Sequence, residues 1–457
     1  MKLLGGEGAE AWNGKEIMFA YYLDLAIRSL KRNRLLTVLM VLAIAIGIGA
    51  SMTTLTVMHL LSGDPLPGKS AHLFYAQVDG DPTPDYKHAE PPDALDYQSA
   101  VDLWNAHRAD RQALLVDSQI KAYAPVAGRP PLMLMMLSTT ADFFPMFEVP
   151  FEYGSAWTPQ DDTNRARVAV ISSDLNDKLF GGQDSVGKTL RLKDSVVRIV
   201  GVLKPWRPSP QFYDVRGGRF SQGDTASFYT RPEDVFTPFF TGLEINDGNF
   251  YQFNCWMPPP NPGHLVNSPC NWLGLWVELD SAAKVASYRE LLNSYAQQQK
   301  TLGRIGYTET RLRNLMQWLD FNQVVPKNVK LQTWLAFAFL AICLFNTVGL
   351  LLAKFLRRGG EIGVRRALGA SSRAVFAQCL TEAGLIGFIG GAGGWLLTLL
   401  GLWLVRHQQT PYSDLVQMDV SMFLTTFVLA IMVSLLAGAL PAFRASRIAP
   451  ALQLKTL

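Results

Sequence analysis

Cysteine and charge are the scarce materials of this chain: four cysteines in 457 residues, and only 18% Asp, Glu, Lys and Arg. Catalytic signatures are missing as well. The six histidines, at positions 59, 72, 88, 107, 264 and 407, are scattered without metal-ligand spacing, and neither GxSxG nor HExxH occurs. We therefore expect a non-catalytic protein that holds no metal. The 42 basic residues stand against 38 acidic ones; they serve membrane topology and leave no nucleic-acid surface. The length allows two or three folded units, and the composition lies between that of a soluble enzyme and that of a fully embedded transporter.

Formal charge is absent altogether from four long runs. The first, Leu35 to Leu61, reads LLTVLMVLAIAIGIGASMTTLTVMHLL; as a helix it reaches about 40 Å, enough to cross a bilayer. The others are Leu331 to Ala353, Ala383 to Val405 and Val420 to Phe443. Four such runs predict four membrane spans rather than buried core helices. Their flanks set the orientation, because short cytoplasmic loops are rich in Lys and Arg. Arg28, Lys31, Arg32 and Arg34 precede span one; Lys354, Arg357, Arg358, Arg365, Arg366 and Arg373 fill the loop between spans two and three; Arg444, Arg447 and Lys455 follow span four. The loop between spans three and four has only Arg406 against Asp414 and Asp419. Both termini are thus expected in the cytoplasm.

The expected organisation is a cytoplasmic N-terminus with an interfacial helix (1–34), span one (35–61), an extracytoplasmic domain (62–330), span two (331–353), a cytoplasmic coupling loop (354–382), span three (383–405), a short outside loop (406–419), span four (420–443) and a cytoplasmic tail (444–457). The fold class is a membrane α-helical protein with a large α+β domain inserted between helices one and two. Span one is too long for the apolar core of a signal peptide and reads as an uncleaved anchor. Residues 1–17 resemble neither a signal nor a helix of the fold, and Met18 is a candidate start.

Cys255 and Cys270 flank WMPPPNPGHLVNSP, a loop with little means of packing itself. In an oxidising compartment these two are expected to pair, worth about 3 kcal/mol, with two free buried thiols as the alternative. Cys343 and Cys379 read as small apolar residues. The stretch GGQDSVGKTL, Gly181 to Leu190, matches the P-loop spacing GxxxxGK[ST]. A working P-loop follows a strand and opens a helix, so that the helix N-terminus holds phosphate. Here a strand, RVAVIS, and a helix, SSDLNDKLF, capped by Ser172 or by Ser173 and Asp174, come before, and two strands from TLRLKDSVVRIVGVL come after. The match is a turn, with Lys188 a solvated base. Phe236, Phe239, Phe240, Phe250, Tyr251, Phe253, Trp256, Trp272 and Trp276 gather as either a binding surface or core. SYRELLNSYAQQQKTL and RLRNLMQWLDFNQVVPKNVKL both read as helices, the second a rigid stalk leading into span two.

Between spans two and three, RRGGEIGVRRALGASSRAVFAQCLTEA has Gly359 and Gly360 to break span two, a short basic amphipathic helix from Glu361 to Leu368, and Gly369 to end it. EIGVRRALGAS, a Gly-rich span after it, and LAGALPAFRASRIAPALQLK at the end resemble the permease domain of the MacB and FtsX family of ABC transporters. LAIRSLKRNRLLTVLMVLAIAIGI is similar to that family's first span, and VAVISSDLNDKLFGGQDSVGKTLRLKDSVVRIVGVL to its periplasmic core domain.

The resemblance implies one half of a dimeric membrane unit in the cell inner membrane, paired with a second permease half that is this same chain or a paralogue. It also implies that cytoplasmic ABC ATPase subunits dock on Glu361, Ile362, Gly363, Arg365, Arg366, Ala367, Leu368 and Gly369. ATP and Mg would then be bound by that separate polypeptide, with no cofactor on this chain. ATP-driven dimerisation would move the outside domains, the behaviour called mechanotransmission. Export of a peptide, lipopeptide or antibiotic, through a periplasmic adaptor and an outer-membrane channel, is the leading expectation. FtsX-like signalling to a cell-wall hydrolase and lipoprotein release, as in LolC and LolE, are the alternatives. Gly387 with Gly391 and Gly390 with Gly394 form small-xxx-small pairs for close helix packing, within the subunit or across the dimer. Asn346, polar inside span two, needs a partner in its own bundle or across the dimer.

Overall fold

In a computed structural model the described residues are 21–83, 90–124, 130–250, 252–261, 263–416 and 420–447. The expectations about residues 1–17, Met18, Tyr251 and Lys455 fall outside them. Two compact units result: a helical one, from the chain up to Leu61 and from Lys327 onward, and an inserted domain, Ser62–Pro326.

Four helices in the first unit are long and apolar enough to cross a membrane: Arg34–Ser62, Lys327–Arg357, Ser372–Arg406 and Val420–Ser446. Spans two and three are longer than their uncharged cores. Their extra turns hold polar residues that bond one another, so helix and charge coexist there. Span three starts where the Ser371 hydroxyl accepts from the amide of Ala374, at 3.2 Å. Residues 21–32 are helical, separated from span one by a turn at Asn33.

Glycine decides how the spans pack. A carbon added at Gly387 would lie 1.9 Å from Ser434 Oγ, and one at Gly391 2.7 Å from Ala430, so this pair faces span four. Gly390 and Gly394 face span one, at 2.7 Å from Ile44 and 2.9 Å from Ile48. Span three therefore uses two glycine faces for two neighbours inside one chain. Apolar side chains including Met40, Ile44, Ile48, Leu340, Leu351, Ile386 and Ala437 fill the rest of this core. Some hydroxyls bond locally, as Thr398 Oγ1 donates to the Gly394 carbonyl at 2.8 Å, and others between helices, as Ser51 Oγ donates to the Ala336 carbonyl at 3.0 Å.

The inserted domain is built on β1 (Leu73–Val78), β2 (Leu95–Asp96), β3 (Arg111–Tyr123), β4 (Leu132–Thr139), β5 (Phe151–Gly154), β6 (Val168–Ile171), β7 (Thr189–Leu192), β8 (Ser195–Leu203), β9 (Val235–Pro238), β10 (Asn254–Cys255), β11 (Cys270–Glu278) and β12 (Thr310–Asn314). The main path of the sheet runs β12-β1-β11-β3-β4-β9-β6-β8-β5. Most pairs are antiparallel; β4 with β9 and β6 with β8 are parallel. All nine residues of β11, CNWLGLWVE, are buried, as a strand covered on both faces must be. The helix Ala282–Thr301, capped by Ser281, lays Tyr288, Leu292 and Ala296 onto one side of this region.

Cys255 and Cys270 stand opposite each other in the β10–β11 pairing and are joined as a disulfide. In GGQDSVGKTL, Ser172 caps the preceding helix Ser173–Phe180, Gly181 ends it in the left-handed conformation at φ 68°, and β7 follows Lys188. No helix opens at the turn; the Lys188 ammonium lies 5.0 Å from the Phe180 ring centre. The aromatic residues between 236 and 276 are mainly core: Phe236, Phe239, Phe250, Trp272 and Trp276 are buried, while Phe253 is exposed.

The expected stalk helix is a correction. RLRNLMQWLDF divides into the edge strand β12, paired with β1, and a helix confined to Leu315–Phe321. Asn314 and Gln317 form a capping box that starts this helix afresh, and Arg313 pairs with Glu90 at 2.8 Å, which ties the strand sideways. Of the two partners open to Asn346, its own bundle supplies none among the described residues: it faces outward from its helix, beside the exposed Ile342 and Phe345.

Candidate coupling site

The short helix between spans two and three covers Gly359–Ala367, so Gly359 and Gly360 belong to it and Arg358 alone separates it from span two. Leu368 ends it, followed by Gly369 at φ 101°. Gly359, Ile362 and Gly363 are buried against the bundle. One helical turn round, Val364 and Leu368 point outward, 43% and 84% exposed. The two stand at i and i+4, so they form one uncovered apolar patch on this helix.

Below this helix lies a cluster of charges taken from several elements. Glu382, in span three, is 1% exposed; Lys354, in span two, is equally buried and pairs with its Oε1. Ser29, in the helix before span one, donates to the same oxygen at 2.5 Å. Arg358 Nη1 donates to Glu382 Oε2 at 3.1 Å and to Ser29 Oγ at 2.8 Å. Its Nη2 and Nε donate to the two oxygens of Glu361, at 3.1 Å and 3.3 Å. Arg365 completes the set, 3.1 Å from Glu361 Oε1 and bonding Gln378 Oε1 at 3.1 Å. Arg366 donates to the Ser446 carbonyl at the end of span four, at 3.2 Å.

Burial opposes ionisation of Glu361, but the bonds from Arg358 and the fields of Arg358, Arg365 and Arg32 outweigh it and hold the carboxyl below its usual range. Burial likewise opposes the charge on Arg358, and the bonds to Glu361 with the field of Glu382 reverse that. Of the residues expected to meet an ATPase, Leu368, Ala367 and Gly369 are therefore exposed, Glu361, Arg365 and Arg366 are engaged within the chain, and Ile362 and Gly363 are buried. Sequence reasoning treated Lys354 as a topology-setting base and Glu382 only as a span boundary, and gave Ser29 no role. The legible signal was the i, i+4, i+7 spacing of Lys354, Arg358 and Glu361, which helical periodicity would place on one side, although the structure breaks the helix at Arg358.

Four membrane-crossing helices, a large α/β domain after the first, and a short amphipathic helix between the second and third define a transporter permease. Residues 37–295 match the model of the MacB-like periplasmic core domain, and residues 334–450 that of the FtsX-like permease C-terminal region. The chain belongs to the MacB-like family of ABC transporter permeases. The macrolide export ATP-binding/permease protein MacB of Wolinella succinogenes is 23% identical over 94% of this chain and 60% of its own length. MacB of Marinobacter nauticus is 25% identical over 69% of this chain and 42% of its own. YvrN of Bacillus subtilis, an uncharacterised ABC transporter permease, is 21% identical over 68% of this chain and 67% of its own. The chain spans about half the length of the MacB relatives it matches. The periplasmic region of MacB from Actinobacillus actinomycetemcomitans aligns with 54% of this chain and 91% of that one, at 13% identity and a TM-score of 0.34, a distant likeness.

Proposed function

We propose that this chain is the permease subunit of a mechanotransmitting ABC exporter, in which a separate ATPase binding ATP and Mg docks on Gly359–Gly369 and drives movement of the inserted domain. The observation that carries the reading is the two-sided coupling helix. Ile362 and Gly363 seat it on the bundle while Val364 and Leu368 remain open to a partner. In this arrangement the coupling helix and both termini lie in the cytoplasm, the membrane is the cell inner membrane, and the inserted domain is periplasmic. The flanking bases favour that orientation. A second permease half completes the unit. A peptide, lipopeptide or antibiotic is moved toward an adaptor and an outer-membrane channel; two MacB relatives bear macrolide export in their names.

Purification of the full chain from native membranes tests this. An ATPase is expected to accompany it, and Leu368→Asp is expected to reduce that association roughly tenfold or more, since a charge at the centre of an apolar contact costs about 2 kcal/mol. A wild-type chain free of any ATPase, or undiminished association of the variant, overturns the reading.

A further inference from the structure

We propose that Glu382 is the positioning residue of the coupling helix: through Arg358 its carboxylate fixes the direction in which that helix leaves span two, so that force on the helix reaches spans two and three together. The inference rests on the docking role proposed for Gly359–Gly369.

The joint between span two and the coupling helix is Arg358 followed by Gly359 and Gly360. Two consecutive glycines give such a joint little backbone preference, and a carbon added at Gly360 would meet nothing within 4 Å. Side chains therefore set the angle. The Arg358 guanidinium, at the end of span two, is the group in the cluster that grips two carboxylates at once: Glu361 on the coupling helix, and Glu382 on span three. Ser29 and Lys354 hold Glu382 in place from two further directions.

Stability alone does not account for this arrangement. Burying Lys354 and Glu382 costs several kcal/mol per ion, and apolar residues of similar volume commonly pack there at no loss. What buried ion pairs supply in attested cases is register and orientation. The other cations facing the cluster, Arg365 and Arg32, reach Glu361 and not Glu382; Arg365 ties the far end of the coupling helix to Gln378 of span three, whereas Arg358 makes the ion pair to span three at the joint itself.

The test uses the full chain purified with its accompanying ATPase, in two variants. Glu382→Gln keeps the shape and weakens the grip; Glu382→Leu with Lys354→Met removes both buried charges and keeps the volume, guarding against a variant that merely fails to fold. Spin labels at Glu290→Cys and Gln408→Cys, with Cys343 and Cys379 replaced by Ala, report the distance between the inserted domain and the membrane unit, with and without ATP and vanadate. Wild type is expected to change distance on trapping. Both variants are expected to retain the ATPase and its hydrolysis, and to lose the distance change. A merely structural cluster predicts instead that the double variant restores both stability and the distance change, and that result overturns the inference while leaving the docking role intact. Absence of an ATPase from the wild-type preparation overturns the docking role, and this inference with it.

Discussion

Asp162 illustrates how much a single buried residue can reveal. Its carboxylate accepts from the Ala141 amide at 2.7 Å and the Trp157 indole at 2.8 Å, yet burial dominates and pushes its pKa up to about 7. Burial pushes Glu233, which accepts from the Tyr213 hydroxyl at 2.6 Å, up to about 8. Both acids bind protons more tightly folded than unfolded. Their contribution to stability is complete below the ordinary carboxylate range and is lost as pH rises through 7 to 8. Thermal unfolding of the inserted domain is therefore expected at lower temperature near pH 8.5 than near pH 5.5, and Asp162→Asn, which cannot titrate, should reduce the difference at an overall cost of about 1–3 kcal/mol. An unchanged pH profile in that variant contradicts the assignment. No sequence pattern marks these acids; only the depth at which the fold places them raises their pKa values.

At the scale of elements, glycine and polar caps divide what was legible from what was not. The glycine spacing of span three announces close packing, but the neighbours are a tertiary matter: Gly387 meets Ser434 and Gly390 meets Ile44. Gly387→Ala is expected to destabilise the detergent-solubilised bundle by about 1–3 kcal/mol, whereas Gly384→Ala, whose added carbon would stand 3.6 Å from Leu435, should melt as wild type. Equal melting of the two would contradict the packing described. Thr310–Asn314 escaped sequence reading because Leu312, Leu315 and Leu319 fit a helical period, and an edge strand needs only one buried side chain. Its partner β1 lies more than 230 residues earlier in the chain, and that pairing overrides local preference. The capping box at Asn314 and Gln317 was readable and marks where the helix begins.

For the whole molecule, the proposed assembly of two permease halves can be tested on the outward face of span two. Asn346 lies on it with Ile342 and Phe345, and an amide among lipid tails gains by bonding another helix. Asn346→Leu is expected to weaken association with the proposed second permease half by about 1 kcal/mol, roughly fivefold, measured by sedimentation of the purified complex in detergent. Unaltered association would assign the contact to another face.

The amino-acid sequence by itself determined the four spans, the insertion of a large domain after the first, and the short basic helix between the second and third. Apolar run length, local charge and glycine spacing are properties of contiguous residues. It also read GGQDSVGKTL as a turn, because the order of helix, turn and strand, the reverse of a phosphate loop's, is local as well. Tertiary structure alone decided that Lys354 and Glu382 form a buried pair, that Arg358 grips carboxylates on both the coupling helix and span three, and that Leu368 stays uncovered. Each of these depends on which helices become neighbours, and that is settled by the packing of side chains from distant parts of the chain.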